Sequence, residues 1–163
     1  MSRVAVIGGG PAGMTAALAA AGQGRFVTLY ERNEKLGKKL YISGKGRCNF
    51  TNSAEIEDFF QNIPRNPRFL YSALYGYTNR DAMRFLEDAG VPTKVERGGR
   101  AFPASDKSSD VTRAYERALL GAGVVTSLCA RVESVRREGE EFLVRVEGRD
   151  FPFDKVILAT GGM

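Results

Sequence analysis

The chain has 163 residues, of which 43% are hydrophobic and 26% charged, with a formal net charge of +5, two cysteines and no histidine. That is enough apolar material for a core of about one domain. It rules out a dense disulfide framework, a histidine-ligated metal and any nucleophile that relies on a histidine base. The first apolar run, Val4 to Ile7, reads as a buried strand. It enters Gly8-Gly9-Gly10-Pro11-Ala12-Gly13, which fits G-x-G-x-x-G. An Ala-rich helix is predicted from about Pro11 to Gly22 or Gly24, and a second strand over Phe26 to Tyr30 that ends on Glu31. Strand, glycine turn, helix, strand and terminal acid form the fingerprint of a dinucleotide-binding β-α-β unit.

Each part has a physical task. Gly8 turns the chain sharply out of the strand, Gly10 leaves the backbone open to a pyrophosphate, and Gly13 lets the helix approach the sheet. Free amides and the positive dipole end of the helix face the phosphates, and Pro11 suits a first helical turn. Glu31 accepts hydrogen bonds from ribose hydroxyls and repels a 2′-phosphate.

Arg32 to Asn52 reads as a long ordered loop, basic and rich in glycine, and loops of this length in compact domains are functional or disordered. From Arg25 to Arg47 seven basic residues stand against Glu31 and Glu34, a net +5 that equals the charge of the whole chain. Such a stretch attracts an anionic cofactor. Lys45 lies between glycines but lacks the following Ser or Thr of a phosphate-binding P-loop. Helical spacing follows over Ala54–Asn62, Pro67–Tyr75 and Arg80–Ala89, with Gly90 as the cap. Tyr71, Tyr75 and Tyr77 are expected in the core rather than on a stacking surface. A strand over Val91–Glu96, a turn at 97–100, an extended piece at 101–103 and a helix from about Ser109 to Leu120, capped by Ser105 or Asp106, come next. Val124–Thr126 returns as a strand. Ala130–Arg136 and Glu141–Glu147 form a hairpin, and Arg149–Phe153 adds a third antiparallel strand. Lys155–Ala159 is a parallel-type strand running into Thr160-Gly161-Gly162, and the chain stops at Met163.

Three further segments carry a family resemblance: GKKLYISGKGRCNFTN (Gly37 to Asn52), ERGGRAFPASDKSSDV (Glu96 to Val111) and ILATGGM (Ile157 to Met163). Over its whole length the chain resembles the N-terminal part of the YhiN/BaiN-type family of NAD(P)/FAD-dependent oxidoreductases. The resemblance implies an α/β, Rossmann-like FAD-binding three-layer fold, a parallel sheet with a three-stranded antiparallel excursion. Members are longer, so the expectation is that residues 1–163 are the N-terminal part of an FAD/NAD(P)-binding domain, without the inserted substrate domain and C-terminal completing segment. It also implies site roles. Gly8, Gly10, Pro11, Ala12 and Gly13 hold the FAD pyrophosphate, and Glu31, with Arg32 beside it, meets the adenosine ribose. Lys39, Gly46, Arg47, Cys48 and Asn49 run along the pyrophosphate toward the flavin. Val132 meets the adenine through its backbone, and Ala159, Thr160 and Gly161 pass near the phosphates. Cys48 has two readings, a redox thiol beside the flavin and a small loop residue, and the second is favoured because no other cysteine is near in sequence. No catalytic acid or base is named.

The expected activity is hydride transfer through FAD with NAD(P)H or a small organic substrate, in a cytoplasmic protein without a membrane or metal partner. The competing reading is a non-redox nucleotide- or RNA-associated module, motivated by the basic stretch. Nucleic acid is the weaker partner because aromatic residues are not interleaved with the basic ones.

Overall fold

Alternating apolar runs and glycine turns build a parallel sheet. The computed structural model describes residues 1–162. Strand β1 (Arg3–Ile7) leads to helix α1 (Pro11–Gly22) and strand β2 (Phe26–Tyr30), as the sequence predicts. Late in the chain β6 (Val125–Ser127), β7 (Val132–Glu138), β8 (Glu141–Val146), β9 (Arg149–Phe153) and β10 (Lys155–Leu158) follow. The parallel sheet has the order β10-β1-β2-β6, with Ile7 opposite both Tyr30 and Leu158. The excursion β7-β8-β9 is antiparallel throughout.

The chain divides into two units, residues 1–40 with 115–163, and residues 41–114. In the first, Ala5, Ile7 and Tyr30 from the parallel sheet are buried together with Ala130, Val144, Val146 and Phe153. Tyr30 meets Phe153 edge to face at 6.1 Å, the geometry favoured by ring quadrupoles. Met14 and Ala17 on α1 are fully buried, which small residues along this helix permit. β10 is an edge strand of the described sheet, and Leu158 on it is 71% exposed.

The second unit is built on a small antiparallel sheet, β3 (Thr51–Asn52), β5 (Arg100–Pro103) and β4 (Thr93–Glu96), in the order β3-β5-β4. Its helices are α3 (Ile56–Gln61), α4 (Tyr71–Gly76) and α5 (Asn79–Asp88), and α6 (Ser108–Gly121) starts in it. Thr78 and Asp81 form a reciprocal capping box at the start of α5, worth about 1 kcal/mol. Asn79 is buried and donates through Nδ2 to the carbonyls of Asn52 and Ala54 at 2.7 and 2.9 Å, which ties α5 to β3.

Three expectations need correction. The stretch 32–52 is not without secondary structure: it contains α2 (Lys38–Ile42), a 3-10 turn at Ser43–Gly46 and β3. Local helix formation by KKLYI was masked by the flanking glycines. Tyr71, Tyr75 and Tyr77 are not core residues but are 45%, 55% and 39% exposed. Tyr71 and Tyr75 pack on Phe60, at 4.2 and 5.6 Å, as a surface cluster. Asp106 has a left-handed backbone and pairs with Arg47 and Lys94, so its carboxylate is engaged away from the start of α6.

Candidate functional site: the glycine turn and the basic loop

The glycine turn obeys two separate constraints. Gly8 has φ +111°, and a Cβ there would lie 2.4 Å from the Ala159 carbonyl oxygen. Its own N–H donates to the Tyr30 carbonyl at 2.8 Å. A Cβ on Gly13 would lie 1.8 Å from the Gly8 carbonyl oxygen. Both glycines are therefore required by close packing of α1, β1 and the segment after β10. Gly10 differs. Its backbone is extended (φ −78°, ψ 179°) and a Cβ would meet nothing within 4 Å. Neither conformation nor internal packing demands glycine at this position. Pro11 and Ala12 are exposed at the start of α1, and that end has neither a capping side chain nor an acidic residue in its first turn. Its first amides thus stay available.

Glu31 stands at the end of β2 as expected but is only 8% exposed. Its Oε2 accepts the Gly9 N–H at 2.7 Å, and its Oε1 accepts the Asn33 N–H and side-chain amide at 2.8 and 2.6 Å. Gly9 and Asn33 were missed in the sequence: the fingerprint leaves the first unspecified, and an Asn two residues after the acid carries no recognised signal. Arg32 is exposed beside Glu31. Lys39 reaches the glycines after β10, with Nζ 3.4 Å from the Gly162 carbonyl. Ala159 continues the parallel ladder by donating to Ile7 at 2.8 Å, and Thr160 and Gly161 are exposed. Val132 opens β7 at a register shift between Val132 and Ser134, partly buried against the core. These residues all belong to the first unit.

Gly46, Arg47, Cys48 and Asn49 belong to the second. Gly44, Lys45, Gly46 and Cys48 all have positive φ, between 57° and 86°. The Arg47 guanidinium donates to Glu96 at 2.7 Å, lies 3.4 Å from Asp106, and stacks 4.3 Å from the centre of the buried Phe102 ring. Lys94 pairs with Asp106 at 2.5 Å and lies 3.7 Å from Glu96. The Asn49 amide, oriented to satisfy its neighbours, donates to the carbonyls of Thr51 and Ala101. Arg47 and Asn49 thus spend their side chains on their own unit. Cys48 is fully buried, and burial pushes its thiol up, against a hydrogen bond with Ser43 that lowers it. A protonated, enclosed thiol suits the small-loop-residue reading.

The Arg47 hydrogen bond holds the Glu96 carboxyl below its ordinary value, and the Lys94 hydrogen bond does the same for Asp106. A depressed carboxylate stabilises the fold above its unfolded-state pKa, and this is lost as pH falls through the lower folded value. The double variant Glu96→Gln/Asp106→Asn is expected to be less stable at neutral pH and to lose less stability on acidification below the ordinary carboxylate range. Thermal melts from pH 7 to pH 3 measure this, and parallel pH profiles for both proteins would refute it.

Residues 2–163 match the HI0933-like protein Rossmann domain. The chain belongs to that family. Its members are FAD-dependent oxidoreductases. A 3-dehydro-bile acid delta(4,6)-reductase of Clostridium scindens is 36% identical over 165 residues, covering 99% of this chain and 39% of the reductase. A ribosomal RNA dihydrouridine synthase of Escherichia coli is 30% identical over 97% of this chain and 39% of that protein. The HI0933-like chain therefore spans about two fifths of these relatives. Among solved structures, Thermovibrio ammonificans THI4 superposes with a TM-score of 0.63 at 16% identity, over 98% of this chain and 57% of THI4. Lactococcus lactis thioredoxin reductase gives 0.54 at 20% identity, over 99% of this chain and 36% of the reductase. Both share the fold. Among the described residues, no helix of this HI0933-like domain is long and apolar enough to cross a membrane.

Proposed function

We propose that this chain is the FAD-binding part of a flavin-dependent oxidoreductase that moves hydride between NAD(P)H, or a small organic substrate, and a second acceptor. One observation carries the cofactor half of the reading. Gly10 has no internal reason to be glycine, and it lies beside an uncapped helix start, which is what a pyrophosphate approaching the backbone requires.

The residues present fit that group. Gly10, Ala12 and Gly13 would offer backbone amides and the positive end of α1 to the phosphates, while Gly8, whose N–H is taken by Tyr30, makes the turn and Pro11, which has no N–H, fixes the first helical residue. Lys39, beside Gly161 and Gly162, adds a cation for the same anion. Glu31 supplies an acceptor for a ribose hydroxyl, Arg32 is exposed next to it, and the shifted backbone at Val132 is suited to an adenine edge. Ala159 and Thr160 bring backbone close to Gly8. In the second unit, the positive-φ residues Gly46 and Cys48 shape the loop, and Arg47 and Asn49 fix it through Glu96, Asp106, Thr51 and Ala101. FAD, when bound, supplies the two-electron chemistry, and the protein sets its position and electrostatics.

The test is retention of flavin by the purified chain after FAD addition and desalting, followed by NADPH or NADH under anaerobic conditions. Retained visible bands that bleach with a nicotinamide donor are expected. A longer protein containing this sequence that stays colourless with FAD would end the reading.

A second reading, an RNA-associated module, is favoured by two ribosomal RNA dihydrouridine synthases among the relatives and by the basic stretch from Arg25 to Arg47. Binding to a ribosomal RNA fragment should then fall steeply with salt. Salt-independent binding, or none at low salt, would remove it.

A further inference from the structure

Gly9 occupies the position of the fingerprint that specifies no residue, yet it is buried and held from both sides. Its N–H donates to Glu31 Oε2 at 2.7 Å, and its carbonyl accepts the Gly37 N–H at 2.8 Å. A Cβ on Gly9 would lie 2.4 Å from Leu36 Cδ2 and 2.9 Å from Glu31 Cβ. The turn is therefore clamped by the acid at the end of β2 and by the segment just after it.

The acid is itself held. Asn33 gives Glu31 Oε1 two hydrogen bonds, from its backbone N–H and from Nδ2. The Asn33 side-chain oxygen accepts from Lys38 Nζ at 3.2 Å, and its carbonyl accepts the Cys129 N–H at 3.0 Å. Asn33 is thus anchored at both ends, and its amide cannot rotate away from Oε1 without breaking the contact with Lys38. An ionised carboxylate offers about four acceptor positions. Two on Oε1 and one on Oε2 are taken by the protein, which leaves one, on Oε2.

We propose that Asn33 is a positioning residue for nucleotide binding. It locks Oε1 of Glu31, and so aims Oε2 at the Gly9 amide and leaves a single acceptor position for one ribose hydroxyl. Glu31 then has two duties, shaping the phosphate-binding turn and meeting the ribose. The inference rests on the reading that this unit binds a dinucleotide.

The test uses the 163-residue chain, with FAD and ADP as probes, and the variants Asn33→Ala and Asn33→Asp. The second is nearly isosteric but sets a carboxylate against Oε1. Amide hydrogen exchange at Gly9, measured without nucleotide, is expected to speed up about tenfold in both variants, as loss of the one Nδ2 bond to a charged group implies. Affinity for both FAD and ADP is expected to fall about tenfold in Asn33→Ala and further in Asn33→Asp, since the clamp acts on the adenosine and pyrophosphate half. Folded variants with wild-type Gly9 exchange and wild-type ADP affinity would overturn the proposal. So would loss of the fold in both, which would make Asn33 a stability residue. Faster Gly9 exchange in a protein whose wild type binds neither probe would leave the clamp standing and remove the dinucleotide reading on which its role rests.

Discussion

Gly8→Ala is expected to destabilise the first unit by about 4 kcal/mol and to abolish nucleotide binding with it. Two costs act together. A non-glycine residue at φ +111° stores about 1–3 kcal/mol of backbone strain. Its Cβ would also sit 2.4 Å from the Ala159 carbonyl oxygen and 2.8 Å from its carbon, which are main-chain atoms of the hydrogen-bonded segment after β10 and cannot step aside like a side-chain tip. Forced overpacking of this kind costs about 1–3 kcal/mol more. Gly10→Ala is the informative partner. It has the same chemistry two residues away, in extended backbone with open space, and should change stability by no more than about 0.5 kcal/mol. Any large effect of Gly10→Ala should therefore be on FAD or ADP affinity. Urea unfolding followed by circular dichroism, with nucleotide titration alongside, separates the two. Equal stability losses at Gly8 and Gly10 would show that the turn is not built as described.

The second large effect is expected from Phe102→Ala. Phe102 is 1% exposed and, among the described residues, is the largest fully buried side chain. Phe to Ala in a core costs about 3–5 kcal/mol, the transfer loss plus the cavity. The ring also supports the basic loop. Arg47 stacks 4.3 Å from its centre, and Gly44 lies so close that a Cβ there would be 3.0 Å from Cε1. Removing the ring should therefore loosen residues 43–48 as well as weaken the unit. Thiol titration reads this directly. In the native protein the exposed Cys129 should react quickly and the buried Cys48 slowly. In Phe102→Ala both should react quickly. A variant that loses stability while Cys48 stays protected would mean that the loop is held by the Arg47, Glu96 and Asp106 ion pairs rather than by the ring.

The β-α-β unit could be read from sequence because its signals are local. The apolar runs at 4–7 and 26–30, the glycines between them and the acid at 31 are set by backbone conformation and periodicity, and the strands formed at Arg3–Ile7 and Phe26–Tyr30. The hairpin at β7 and β8, the third strand β9 and the parallel β10 were legible for the same reason, since alternation with period two or an unbroken apolar run marks each. Family membership followed from three contiguous motifs.

Tertiary structure alone decided the rest. Tyr71, Tyr75 and Tyr77 have core-like spacing, but a helix of six residues, Tyr71–Gly76, leaves the first two exposed and Tyr77 follows it in extended backbone, and periodicity cannot tell which side of a short helix finds a partner. Arg47 and Asp106 are 59 residues apart in sequence, and the antiparallel pairing of β3 with β5 brings the segments that carry them together. The double duty of Glu31 was equally hidden. An acid at a strand end reads as a ribose acceptor. The Gly9 amide, 22 residues earlier, reaches its carboxylate only once β1 and β2 pair in register. The sequence by itself determined the β-α-β unit, the late strands, the turn chemistry and the family, but not the short elements inside residues 32–52. Which side chains serve a ligand and which serve the fold was decided by contacts between residues far apart in the chain, because a hydrogen bond goes to whichever donor folding brings within reach.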